Sequence, residues 1–92
     1  MIAKVSVDVT ATLISAAKDR KWFLIQNQGG TDVFVSIEGS SDVTVDTGSK
    51  PGFLLKPGES LGTMREDFRG AVSNALYGIA SVAPSNVSIQ EF

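Results

Sequence analysis

The chain has 92 residues, which is enough for one domain and too few for two. It contains no cysteine and no histidine, which excludes disulfides, thiolate metal sites and the usual general bases and nucleophile pairs of enzymes. Its net charge of −2, from 8 basic and 10 acidic residues, provides no electropositive field for nucleic acid. We therefore expect one domain over residues 1–92, with no catalytic residue, no cofactor, no metal ion and no nucleic-acid partner.

The N-terminal segment alternates polar and apolar residues, as a half-buried strand does. Val5, Val7 and Val9 fall on one face of this predicted strand, and Lys4 and Ser6 fall on the other. A signal peptide or a membrane span would instead require a continuous apolar run. We expect a protein that is made in the cytoplasm and has no membrane partner.

Further β-rich runs follow along the chain, separated by glycine, proline and asparagine. They lie at 11–16, 22–28, 33–38, 42–46, 53–56, 60–65, 76–82 and 86–92. The basic run at 18–21 is interrupted by Asp19 and is interpreted as a solvated turn. A helix over 64–75 is disfavoured because Gly70 interrupts it at a cost of about 1 kcal/mol. The sequence predicts an all-β fold, an antiparallel sandwich or jelly-roll-like domain of eight or nine short strands with little or no helix.

Two glycines separate the strong strand candidates at 22–28 and 33–38. Gly29 and Gly30 can supply the positive φ that a tight turn between paired strands needs. We therefore expect residues 22–38 to form a β-hairpin.

Two predicted strands, at 22–25 and 53–55, are apolar on both faces, so each has to cover something besides the main core. One interpretation is a central strand with a loop folded over its outer face. The other is an interface with a second protein, with Trp22, Phe53 and Leu54 as anchors. The sequence leaves both interpretations open.

Other segments also carry candidate interface residues. Arginine beside phenylalanine at 65–69 is a common composition at protein interfaces, although we favour a solvated loop with Phe68 tucked inward. The N-terminal residues can reach a neighbour as an added strand or an apolar plug. The complete predicted interface consists of Met1, Ile2, Trp22, Phe53, Leu54, Arg65, Phe68, Arg69 and Phe92.

Three acidic residues raise the question of a cation site. Asp42 and Asp46 fall on one side of the predicted strand at 42–46, and together with Glu38 they can offer oxygen ligands to a hard cation such as calcium. The alternative is a charged strand edge that discourages unwanted pairing. We favour the charged edge.

The order of these features resembles a group of small β-sandwich virion proteins of tailed bacteriophages. The resemblance is carried by RKWFLIQNQGGTDVFVSIEG, GFLLKPGESLG, LYGIAS and NVSIQEF, which together cover about half of the chain. The matching positions are Asn27, Gly29, Pro57, Gly58, Glu59, Ile79, Val87 and Ile89. These positions are structural, and the resemblance implies no catalytic residue.

What the resemblance implies is a structural role in a virus particle. The first expectation is a capsid decoration, or cement, protein that binds the outer shell as a homo-oligomer, with a trimer favoured, and stabilises that shell. Its partner would be the major capsid protein or another virion protein. A tail adaptor or fibre-associated protein is the alternative within the particle. A carbohydrate-binding module that uses Trp22, Tyr77 or Phe53 as a stacking platform is the alternative from another class.

Overall fold

The structure is a computed structural model that describes residues 2–64 and 73–92. Its strands are β1 (Ile2–Val7), β2 (Thr12–Ser15), β3 (Trp22–Asn27), β4 (Val33–Ser36), β5 (Phe53–Leu55), β6 (Ser60–Met64), β7 (Leu76–Ala80) and β8 (Ser85–Glu91). Those two ranges contain no α-helix, and thus no helix long and apolar enough to cross a membrane.

The strands form two antiparallel sheets of four strands each. Sheet A has the order β1-β8-β3-β6, and sheet B has the order β2-β7-β4-β5. One face of each sheet is turned towards the other sheet, and the apolar side chains of these inner faces meet in a shared core. The prediction of an all-β antiparallel sandwich is therefore confirmed.

Alternation along the strands decides which side chains enter the core. Phe23 and Ile25 of β3 are buried, whereas Leu24 between them is exposed. Full burial of an apolar side chain of this size stabilises the fold by about 2 kcal/mol. The buried cluster consists of Val7, Ile14, Phe23, Ile25, Val33, Val35, Ile37, Leu55, Leu76, Ala80, Val87 and Ile89.

The hairpin predicted over 22–38 is wrong. β3 pairs with β6 and β8 in sheet A, whereas β4 pairs with β5 and β7 in sheet B, so the link between them crosses from one sheet to the other. Neither Gly29 nor Gly30 has a positive φ; the described residues with positive φ are Gly39 and Gly58, at 81° and 88°. A two-residue hairpin loop uses a type I′ or II′ turn, which needs positive φ. A connection that crosses between sheets does not need such a turn, so the glycine pair has no positive φ.

The predicted strand at 42–46 is reduced to an isolated bridge between Thr44 and Pro51. The N–H of Thr44 donates to the carbonyl of Lys50 at 2.9 Å, and the N–H of Gly52 donates to the carbonyl of Thr44 at 3.2 Å. The backbone of this segment therefore bonds to the loop that leads into β5, which leaves no ladder with another strand.

Asn27 holds the crossing between the sheets in place. Its side chain is fully buried, and its Nδ2 donates to the carbonyls of Thr31 at 2.7 Å and Leu55 at 2.9 Å. Its Oδ1 accepts from the N–H of Gly29 at 3.0 Å and the hydroxyl of Ser85 at 2.9 Å. A Cβ at Gly29 would collide with that hydroxyl. Glycine is therefore required here for the close approach of two chain segments.

Replacing Asn27 should destabilise the fold strongly. We expect N27A to lower the free energy of unfolding by about 3 kcal/mol, because two carbonyls, an N–H and a hydroxyl lose their partner in a buried site. Urea denaturation measures this loss. Q26A is the matched control, since Gln26 makes solvent-accessible hydrogen bonds at 3.3 Å on the outer face of the same strand. Equal losses in the two variants would contradict this role for Asn27.

A buried charged cluster joins the two sheets at the end of β8. The carboxylate of Glu91 accepts hydrogen bonds from Ser15 Oγ at 3.1 Å, Arg20 Nε at 3.0 Å and Lys18 Nζ at 2.5 Å. Arg20 also donates to the carbonyl of Asn74 at 3.0 Å. Arg20 is only 2% exposed, so the prediction of a solvated turn at 18–21 is wrong for this residue. Its guanidinium is drawn inward by the buried carboxylate.

Candidate functional site

The outer faces of the two sheets differ in chemistry. The outer face of sheet A carries mainly polar side chains, together with Trp22 and Leu24 of β3 and the 68% exposed Phe92, which stacks on Trp22. Its polar side chains are Lys4, Ser6, Gln26, Ser60, Asn86, Ser88 and Gln90. On the outer face of sheet B, in contrast, an apolar band crosses all four strands and contains no charged residue.

Strand register builds this band from directly opposed pairs. Leu13 of β2 lies opposite Tyr77 of β7, Ile79 of β7 lies opposite Phe34 of β4, and Phe34 lies opposite Leu54 of β5. Tyr77 and Ile79 are two positions apart on one strand and so share its outer face. We call these five residues the apolar stripe.

The ends of the apolar stripe are open to solvent, and its centre is covered. Leu13 is 46% exposed and Leu54 is 42% exposed, whereas Phe34 is 5% exposed between Leu54 and the half-buried Ile79. The exposed apolar surface of the stripe therefore lies at its two ends, on either side of the buried Phe34. Exposed apolar side chains that share one face are candidates for contact with a partner.

A groove with a volume of about 460 Å³ adjoins the apolar stripe at the edge of β4 and β5. Phe53, which is 53% exposed, contributes to its apolar lining. Glu38 and Lys50 line it with charged groups, and Lys50 Nζ forms an ion pair with Asp42 at 2.8 Å. The hydrogen bond from Lys50 holds the pKa of Asp42 below its usual value. The groove thus adds an aromatic ring and a charged rim beside the apolar stripe.

The predicted interface residues fall in separate places. Leu54 lies in the apolar stripe and Phe53 lines the adjoining groove. Trp22 and Phe92 stack with ring centroids 6.4 Å apart, at the end of sheet A where β3 begins. Ile2 begins β1. Four further predicted interface residues lie outside the described residues: Met1, Arg65, Phe68 and Arg69.

Four members of the apolar stripe were not predicted from the sequence as interface residues. These residues are Leu13, Phe34, Ile79 and Tyr77, of which Tyr77 was named only for the carbohydrate hypothesis. Each occupies a strand with apolar residues on both faces, as in TLIS, VFVS and LYGIA. The same reasoning that singled out 53–55 applied to these strands, because an apolar residue on the second face of a strand has to be covered by something.

The candidate cation ligands do not come together. Asp42 pairs with Lys50, and no group of three or more acidic side chains able to hold a metal ion occurs within the described ranges. The aromatic residues of the carbohydrate hypothesis are also divided: Trp22 belongs to sheet A, whereas Tyr77 and Phe53 belong to sheet B. The structure therefore builds no common platform from these three rings.

Comparisons with known proteins give little similarity. No protein-family model matches the chain, and no curated protein matches it. Among solved structures, the chain is similar to FixK2 from Bradyrhizobium japonicum, with 13% sequence identity and a TM-score of 0.49. The match covers 99% of this chain and 39% of the FixK2 chain. This chain therefore spans less than half of the length of FixK2. This likeness is too distant to bear on function.

Proposed function

We propose that this chain is a structural protein of a virus particle, which decorates the capsid shell in many copies and stabilises it by docking. The observation that carries the proposal is the contrast between the two outer faces. One face is mainly polar apart from Trp22, Leu24 and Phe92, and the other presents the uncharged apolar stripe of Leu13, Phe34, Leu54, Tyr77 and Ile79. A sandwich with a mainly polar outer face and an uncharged apolar band on the opposite face suits a protein that lies flat on a larger surface.

The dimensions of the chain fit this mode of binding. The principal extents are 33 × 26 × 18 Å, so the broad side measures 33 by 26 Å. A standard protein–protein interface covers about 800 Å² of each partner, which is close to that whole side. One docked copy would gain modest affinity from its apolar stripe. Many tethered copies hold firmly together, because each bound contact raises the effective concentration of the next.

Phe34 lies on the outer face of sheet B but offers no surface to a partner. Burying an apolar side chain contributes roughly 25 cal/mol for each Å² removed from water. Phe34 is buried within the single chain, so the part of the apolar stripe left to a partner is at Leu13 and Leu54, with Tyr77 and Ile79 half-exposed. A partner with an apolar, uncharged patch on its outer surface is the occupant that this chemistry fits.

Binding to the particle provides the test. Purified protein, added at micromolar concentration to particles of its virus that have been stripped of it, is expected to rebind and to raise the temperature at which the shells rupture. Co-sedimentation measures the binding, and release of packaged nucleic acid on heating measures the rupture. Absence of rebinding would overturn the proposal. Signal confined to one vertex of labelled particles would assign the chain to the tail and would also overturn it.

A further inference from the structure

We infer that two copies of this chain join edge to edge through β1, so that sheet A continues from one copy into the other. β1 is the outermost strand of sheet A, and within the described residues no strand pairs with its second edge. It is also the longest edge strand: β2 has four residues and a register shift, β5 has three residues and β6 has five. A long, regular and unpaired edge is a template for pairing with another chain.

The side chains of β1 show what the second copy would complete. Val7 is fully buried, whereas Ala3 and Val5 point to the same side, pack against the core and remain half-exposed. Ala3 and Val5 are half-exposed because, within the described residues, β1 pairs with a strand on one side only. A strand added along that edge would bring further apolar side chains beside Ala3 and Val5 and bury them.

Self-pairing of β1 has one favourable register. Directly opposed residues of two antiparallel strands point to the same face of the sheet. A two-fold pair of β1 strands therefore keeps the core-facing side chains of both copies on one face only if the two-fold axis passes through a residue that lies opposite its own copy. An axis at Lys4 would oppose two ammonium groups, and an axis at Ser6 would overlap only residues 5–7 of the strand. An axis at Val5 pairs residues 3–7, with Val5 opposite Val5 and Lys4 opposite Ser6 of the second copy. β1 is therefore complementary to itself.

The symmetry of this pair places both docking surfaces on one side. The two-fold axis of an antiparallel strand pair is perpendicular to the sheet, and the interface is isologous. Both copies of sheet B consequently lie on the same side of the extended sheet A, and both apolar stripes face the same way. Such a dimer docks through two stripes at once, which raises its avidity. This bivalent docking rests on the proposed function, whereas the pairing of β1 does not.

The expected symmetry differs from that suggested by the sequence. Edge pairing through β1 produces a two-fold dimer, whereas the resemblance to virion proteins favoured a trimer. Mass measurement by light scattering separates them, because a dimer has twice the 9.7 kDa of the chain. We expect the dimer mass at micromolar concentration. A trimer, or a monomer under the same conditions, would overturn the inference.

Cysteine cross-linking tests the register directly, since the chain has no cysteine of its own. In the Val5-centred pair the two Val5 Cβ atoms lie about 5 Å apart, close to the span of a disulfide. We expect V5C to form a covalent dimer under mild oxidation. S6C is the register control, because its two thiols would be diagonal neighbours about 7–8 Å apart. S60C, on the opposite edge of sheet A, is the edge control. Equal cross-linking of the three variants, or none of V5C, would overturn the inference.

Charge substitutions give a second test that leaves the core untouched, because Lys4 and Ser6 are exposed. In S6K, the new lysine of each copy lies directly opposite Lys4 of the other copy. We expect these two like-charge contacts to weaken the dimer about tenfold. K4E/S6K restores opposite charges and should return the affinity to within about twofold of wild type. Failure of the double variant to recover would contradict the register. These experiments use the free chain, so they can succeed even if binding to shells fails, and the reverse also holds.

Discussion

The variant E91Q is expected to lose about 3–5 kcal/mol of folding stability, because it removes the carboxylate that forms an ion pair with the buried Arg20 guanidinium. Arg20 is 2% exposed and Glu91 is 5% exposed, so water cannot replace the lost carboxylate. Lys18 contributes less, since its side chain is 42% exposed. Domains of this size are stable by about 5–15 kcal/mol, so the loss is a large fraction of the total.

The loss in E91Q should depend on pH in a definite direction. Burial raises the pKa of Glu91, but hydrogen bonds from Lys18 and Ser15, together with the positive charges of Lys18 and Arg20, outweigh burial and hold it below its ordinary value of 4.5. A lowered pKa in the folded state stabilises the protein above the pKa of the unfolded state, and this contribution is lost as the pH falls through the folded-state value. The difference between wild type and E91Q should therefore be full at neutral pH and shrink below about pH 4.5.

Urea denaturation followed by fluorescence provides the measurement. The chain has a single tryptophan, Trp22, which stacks on Phe92 next to the charged cluster. E38Q, at an exposed glutamate, is the matched control and should change stability by less than about 0.5 kcal/mol. The double variant R20M/E91M should lose less than the sum of its single variants, because it removes both charges together. A constant difference between wild type and E91Q from pH 7 to pH 3 would contradict this account.

The fold class was predictable from the sequence because alternation acts locally. The alternation in β1 predicts a buried face, and Val7 is buried as expected, whereas Val9 lies beyond the end of the strand and is 45% exposed. The pairing of the strands was not predictable in the same way. Whether a glycine pair closes a hairpin or allows a crossing between sheets depends on distant partners, and Ser85 and Leu55 reach Asn27 from 58 and 28 residues away.

The candidate site was predictable only in part, for a similar reason. Leu54 was identified because its own strand is apolar on both faces. Phe34 and Ile79 join it only through strand register, which brings them opposite each other from 45 positions apart in the sequence. The charged cluster of Glu91 and Arg20 was likewise invisible, because a basic residue between two strands is usually solvated. Long-range pairing, rather than local pattern, assembles both features.

The variant L54D should lose about a hundredfold in affinity for the shell, because docking would bury a carboxylate without a partner. Leu54 lies in the edge strand of sheet B and is 42% exposed, so the fold is expected to survive its substitution. L24D is the matched control: Leu24 is 37% exposed, compared with 42% for Leu54, and lies on the outer face of the other sheet. Co-sedimentation with stripped particles measures both variants, after thermal denaturation has shown that each one folds.

The comparison of L54D with L24D separates docking from general stickiness. If the apolar stripe is the surface that meets the shell, a charge on sheet B weakens binding about a hundredfold and the same charge on sheet A leaves it unchanged, although the two leucines are almost equally exposed. L13D, at the opposite end of the apolar stripe, should behave as L54D does, because Leu13 belongs to the same band through its pairing with Tyr77. Loss of binding in L24D with normal binding in L54D would assign docking to sheet A, and the polar character of that face would then need a different partner.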